Sequence, residues 1–113
     1  NNAVPTDVEE AIEAINNSRR RHVLCLLDDQ DGVMSAGQLA EDIAVIEMEK
    51  EIPDLTSQER KRVYISLDQI HLDTLDDVGA VNYNERSKEV HATEATAGLA
   101  DLVRHLENIC QSD

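Results

Sequence analysis

The sequence predicts a mainly α-helical fold with a small β-hairpin wing, a winged helix-turn-helix carrying extra helices at both ends. Three observations predict it. A long helical pattern opens on Thr56 and Glu59, spaced as a capping box in which the hydroxyl takes an orphan backbone N–H and the carboxylate reaches back. That pattern stops at Gly79, a residue suited to a left-handed helix end. Two β-prone runs follow, Ala80 to Tyr83 and Glu89 to Thr93, joined by a turn over Asn84 to Lys88.

Residues 6 to 16 read as a short amphipathic helix. Thr6 and Glu9 have capping-box spacing, and Val8, Ile12 and Ile15 make one apolar stripe. Ser18 then caps a helix from Arg19 to about Leu27, whose run Val23 to Leu27 is apolar nearly all round and so predicts burial on most sides. An acidic loop, Asp28 to Gly32, ends it.

Ser35 caps a third helix, Ala36 to roughly Met48, with Leu39, Ala40, Ile43 and Ile46 inward and Glu41, Asp42, Glu47 and Glu49 outward. The loop Lys50 to Leu55 holds Pro53. In the long helix, Ser57 to Val78, the apolar face is Val63, Leu67, Ile70, Thr74 and Val78. Ile65 and Leu72 lie nearly opposite, so the helix is expected at the centre of the domain.

Residues 94 to 110 form the last helix. Ala95, Leu99, Leu102, Leu106 and Ile109 repeat at four and three, a heptad seam that Val103 and Cys110 widen. Two heptads are too short to stand alone, so the seam, Val103 included, is expected to pair two copies while also packing on the domain. The expected organisation is an N-terminal helix over 1–17 packing on core or partner, a winged helix-turn-helix over 18–93, and a dimerising helix over 94–113.

With 113 residues the chain fits one domain with a modest core. It opens at Asn1 rather than Met, as a processed or trimmed chain does. No apolar run reaches membrane-spanning length and no signal-peptide pattern is present, so a cytoplasmic protein without a membrane partner is expected. The balance is 24 acidic residues against 10 basic, with Phe and Trp absent. The apolar fraction is ordinary and periodic, which argues against an acidic disordered tail. Such a surface, with Arg used more than Lys, is similar to that of proteins from a multimolar KCl cytoplasm; a mesophilic protein that is simply acidic is the other reading.

Cys25 and Cys110 fall in helical apolar patterns and read as buried thiols. His22 with Cys25, and His105 with Cys110, lack the CxxC or clustered histidines of a metal site, so neither metal nor cofactor is expected. His71 reads as a core or cap residue. Paired acids such as Asp28/Asp29 and Asp76/Asp77 read as solvated ends. No nucleophile elbow, P-loop or glycine-rich phosphate cradle appears, so no catalytic residue is assigned and an enzyme is not expected.

The segments SRRRHVLCLL, SAGQLAEDIA and QERKRVYISLDQIHLDTLDDVGAV resemble a haloarchaeal winged-helix family of uncharacterised, predicted transcriptional regulators. The resemblance spans about residues 7 to 93, and its most specific parts are RKRVYISL and the ending HLxxLxxxGxV. That ending also looks like the close of the recognition helix in ArsR-type repressors, where Gly79 would mark the turn into the wing. The chain departs from the family at Asp68, where an aromatic is common. Asp73, Asp76 and Asp77 add negative charge to the same helix, as a variant with a protein partner would.

The basic residues point the same way. Eight of the ten lie in three places: Arg19, Arg20 and Arg21; Arg60, Lys61 and Arg62; and Arg86 with Lys88. Those are the start of the first core helix, the start of the long helix and the wing tip. In a winged helix the long helix enters the major groove and the wing touches flanking phosphates. Arg60, Lys61 and Arg62 are thus expected at phosphates or guanine edges, and Gln58, Ser66 and Gln69 at base edges or phosphates. The ArsR likeness favours Ser66 and Gln69 as base readers. Tyr64 stacks, reaches a phosphate or packs. Each cluster alone has a bland reading, as a solvated face or as salt bridges to nearby acids; their joint placement raises the functional one.

Salt opposes that reading. With roughly six phosphate contacts, moving from about 0.1 M to about 3 M salt removes on the order of eight decades of affinity. A halophilic DNA binder must therefore draw on more than phosphate neutralisation: shape fit, cations taken up between acidic side chains and phosphates, and bivalency from a dimer, for which the seam supplies a means. The expected function is a sequence-specific, double-stranded-DNA-binding transcriptional regulator acting as a homodimer. The alternative is a winged-helix protein-interaction module or antirepressor that does not bind DNA. A continuous positive strip favours the first, and cations neutralised by neighbouring acids favour the second.

Overall fold

A computed structural model describes residues 6–110. The chain runs α1 (Val8–Ile15), α2 (Ser18–Asp29), β1 (Val33–Ser35), α3 (Ala36–Met48), a 3-10 turn (Ile52–Asp54), α4 (Ser57–Ser66), a π turn (Leu67–His71), α5 (Leu72–Asp77), β2 (Val81–Asn84), β3 (Glu89–Ala92) and α6 (Glu94–Cys110). It is mainly helical with a small β wing, the winged helix-turn-helix arrangement with an added helix at each end.

The wing carries one strand more than expected. β1 pairs antiparallel with β3, and β3 with β2, giving the order β1-β3-β2. β1 is too short for its alternation to show in sequence. Met34 is buried between exposed Val33 and Ser35, and its strand partner is the buried Val90. Gly32 precedes β1 at φ 88°, and its carbonyl accepts from Ala92 N–H at 2.7 Å.

The helix starts follow local chemistry, with two corrections. The box at Thr56 and Glu59 forms as expected, and Ser35 caps α3. The box on α1 is Asp7 with Glu10, not Thr6 with Glu9. Thr6 instead donates to the Glu10 carboxylate at 2.7 Å. α2 is capped by Asn17, not Ser18: the extended backbone of Asn17 lets its side-chain oxygen accept from both Arg19 and Arg20 N–H. At α6 the Thr93 hydroxyl accepts from Ala95 N–H, while the buried Thr96 hydroxyl accepts from Thr93 N–H and donates to Ala80 carbonyl oxygen.

The core joins Leu24 and Leu27 of α2, Leu39 and Ile43 of α3, Val63 and Leu67 of the long helix, Val81 and Val90 of the sheet, and Leu99 of α6. Ala14 of α1 belongs to it, so the terminal helices pack on the same core as the wing and helices between them. On α1 only Ile15 of the predicted stripe packs on the core; Val8 and Ile12 are 67% and 54% exposed, and Ala11 and Ala14 take the inward positions instead. On α3 Ile46 points out, and Ala44 takes the inner position instead.

The long helix departs most from expectation. The π turn places an extra residue in one turn and shifts the phase of everything after it. A regular helix carries Val63 and Leu67 on to Ile70. Here Ile70 is 55% exposed and the buried residues are His71, Leu72 and Leu75. Ile65 also faces outward, at 41%.

Candidate nucleic-acid interface

The exposed face of α4 comes from its spacing. Val63 and Leu67 point into the core, so Gln58, Lys61, Arg62, Ile65 and Gln69 share the outer side. Among the described residues neither Lys61 nor Arg62 has a side-chain hydrogen bond or ion pair. Tyr64 is half-buried and packs against the core, so it is a packing residue before it is a contact residue. Ser66 is half-buried as well, which leaves Gln69 and Gln58 as the open amides on this face. The starts of α3 and α4 lie together and leave a shallow groove lined by Gly37, Ala40, Ser57, Arg60, Lys61 and Tyr64.

Arg60 lines that groove but is engaged within the fold. It donates to Ile52 carbonyl oxygen at 3.1 Å and pairs with Glu41 at 3.6 Å, and its Nε is enclosed without an acceptor. It ties the 3-10 turn and α3 to α4. Glu59 accepts from Lys50 at 2.8 Å, and this bond with the cap holds its carboxyl below the usual range.

The three arginines at the start of α2, expected at phosphates or in salt bridges to nearby acids, are engaged within the fold. Arg19 grips Glu47 of α3 through two parallel bonds, 2.7 and 2.8 Å. That fork holds the Glu47 carboxyl low. Arg20 donates to Glu13 carbonyl oxygen at 3.1 Å and to the His71 ring at 3.2 Å. Arg21 donates to Ile15 carbonyl oxygen at 2.7 Å. The run SRRR thus joins α1, α3 and the π turn to α2. Sequence alone could not separate this use from phosphate binding, because the acceptors come from elsewhere in the chain.

At the wing, Asn84 side-chain oxygen accepts from Arg86 and Ser87 N–H, shaping the turn and leaving the Arg86 side chain exposed at its tip. Lys88, at φ 62°, turns back instead. Its Nζ lies 3.0 Å from Asp68, and its carbonyl oxygen accepts from Ala36 N–H at 2.8 Å. The buried Tyr83 donates its hydroxyl to the same Asp68 oxygen, and its N–H donates to Asp76 at 2.9 Å. The bonds from Tyr83 and then Lys88 hold the Asp68 carboxyl low, while burial and Asp68 push the Tyr83 phenol up. Asp68 is not among the expected DNA contacts; the sequence marks it as a departure from the family pattern and as part of the acidic face of the protein-binding alternative.

The seam on α6 divides. Ala95, Leu99 and Val103 are buried within the protomer, with Thr96 and Ala100 beside them, so they are not available to a second copy. Their spacing follows the helical period and faces α2, whereas the heptad pattern drifts round the helix. Leu102 and Leu106 are half-buried and Ile109 is 61% exposed. Cys25 is half-buried and Cys110 exposed, which corrects the expectation that both thiols are buried. Among the described residues no group of three or more His, Cys, Asp or Glu could hold a metal ion, and no helix is long and apolar enough to cross a membrane.

No curated protein and no solved structure matches this chain. Residues 12–91, from the middle of α1 to the last strand of the wing, match the domain of unknown function DUF7344, and the chain belongs to that family.

Proposed function

We propose that the chain is a sequence-specific DNA-binding transcriptional regulator, acting as a homodimer in a high-salt cytoplasm. The observation that carries this reading is the outer face of α4. Among the described residues Lys61 and Arg62 have no side-chain partner there, and they stand between the open amides of Gln58 and Gln69. The two cations meet phosphates or guanine edges and the amides read base edges. Arg86 at the wing tip meets the flanking backbone. Among the described residues each protomer thus offers three cations without a side-chain partner to DNA rather than eight, so two copies are needed for a grip that survives high salt. Ile109 and the outer sides of Leu102 and Leu106 supply the apolar surface for pairing.

One observation favours a protein-binding module instead. Arg19, Arg60, Lys88 and Arg104 are each paired with carboxylates, and the net charge is −14. The deciding experiment is a gel-shift series at matched KCl with wild type and Lys61→Ala/Arg62→Ala. On the DNA reading, the variant loses affinity, and its plot of log affinity against log salt is shallower by about 1.8 per protomer. Unchanged binding, or no binding by wild type at any salt, refutes it.

A further inference from the structure

Asp68 sits at the start of the widened helical turn and accepts from two residues of the wing, Tyr83 from β2 and Lys88 from the turn. The two donors differ in situation. Tyr83 is buried and its bond fixes the sheet against the helix. Lys88 is near the rim, its side chain 42% exposed, on the same turn as the exposed Arg86. Lys88 is therefore the wing's second cation, within reach of the phosphates that Arg86 would meet, yet its charge is already answered by a carboxylate of its own chain.

We propose that Asp68 is an internal competitor for Lys88, an autoinhibitory contact that withholds the wing's lysine from a phosphodiester backbone. This rests on the DNA reading above. A phosphate approaching Arg86 gains Lys88 only by displacing the carboxylate, and the displaced Asp68 would then stand as an unmatched charge beside the duplex. Competition between two anions for one ammonium needs no movement of the wing, because Tyr83 and the Lys88 carbonyl oxygen hold it in place.

Asp68→Asn isolates the effect. The amide oxygen still accepts from Tyr83, so the wing stays seated, while the charge that holds Lys88 is gone. The probe is a random-sequence DNA duplex of about thirty base pairs, titrated across a KCl series with wild type, Asp68→Asn, Lys88→Ala and the double variant. Asp68→Asn is expected to bind about two- to fivefold tighter, the range measured for exposed charge pairs. Its salt dependence is expected to steepen by about 0.9 per protomer, which a purely structural role would not produce. Lys88→Ala alone is expected to change affinity less than about twofold, and the double variant to lose the gain.

A fivefold loss in Lys88→Ala alone overturns the proposal, since Lys88 would then already touch phosphate; that arm stands even if Asp68→Asn folds poorly. Duplex binding by wild type that a folded Asp68→Asn leaves unchanged overturns this proposal alone. Failure of every variant to bind the duplex at any salt overturns the DNA reading and this proposal with it.

Discussion

A guanidinium nitrogen of Arg20 stands 3.2 Å from Nδ1 of His71, a ring buried where the long helix widens. Arginine can only donate, so Nδ1 is the acceptor, the ring proton is on Nε2 and the imidazole is neutral. Burial, with Arg20 and Arg19 alongside and Glu47 opposing, lowers the His71 pKa; burial lowers that of half-buried His22 as well.

A pH dependence follows from the sign. Both rings take up protons more readily in the unfolded chain, so their contribution to stability is full above the ordinary histidine value of about 6.5 and is lost as pH falls below it. The denaturation midpoint at constant KCl should be lower at pH 5.5 than at pH 7.5, with a smaller fall in His71→Gln. This window lies above that of Glu47 and Glu59, whose lowered values withdraw stability only below about pH 4.5. An equal fall in His71→Gln and wild type would clear the ring of the effect.

Arg60 and Arg62 are two residues apart and should behave oppositely. Arg60→Ala removes the bond to Ile52 carbonyl oxygen and the pair with Glu41, and should lower stability by about 1 kcal/mol. Arg62→Ala should change stability by less than about 0.5 kcal/mol and weaken DNA binding. Chemical denaturation alongside gel shifts separates the two, and the reverse pattern would place Arg60, not Arg62, on the DNA.

The two halves of the α6 pattern should also part company. Leu99→Glu puts a charge into the protomer core and should abolish folding. Leu106→Glu with Ile109→Glu should leave circular dichroism unchanged and yield monomers in light scattering. Dimers of that double variant would move the pairing surface away from the end of α6.

Gly32 and Gly79 both have positive φ, 88° and 78°, but differ in surroundings. A β-carbon at Gly79 meets nothing within 4 Å, so Gly79→Ala should cost only the backbone preference, about 1–2 kcal/mol. At Gly32 the new carbon comes 3.1 Å from Ala92 Cβ, between strands already in register, so Gly32→Ala should cost about 1 kcal/mol more. Denaturation curves that rank the two the other way would contradict this packing.

Much of the fold was legible because it is local chemistry. The box at Thr56, the cap at Ser35, the stop at Gly79 and the wing turn each depend on residues within a few positions. The errors have local causes too. Thr6–Glu9 and Asp7–Glu10 both satisfy capping-box spacing, and only the chain's path chooses between them. A period of 3.6 places Ile70 inward, and the π turn breaks that period without any marker residue.

The site was half legible. The exposed face of α4 follows from the core face opposite it, so Lys61 and Arg62 could be read. The engagement of Arg19, Arg20, Arg21 and Lys88 could not, because Glu47, His71, Ile15 and Asp68 reach them only once the helices have docked.

The third strand also sets an order of events in folding. β2 and β3 are joined by a short turn and can pair early, but β1 brings Val33 to His91, closing a loop that contains α3, α4 and α5. Closing so long a loop is entropically costly and is repaid only when those helices are already packed. The edge pairing of β1 should therefore be the last part of the sheet to form and the first to open in hydrogen exchange. The N–H of Ala36, bonded to Lys88 across that seam, would report it.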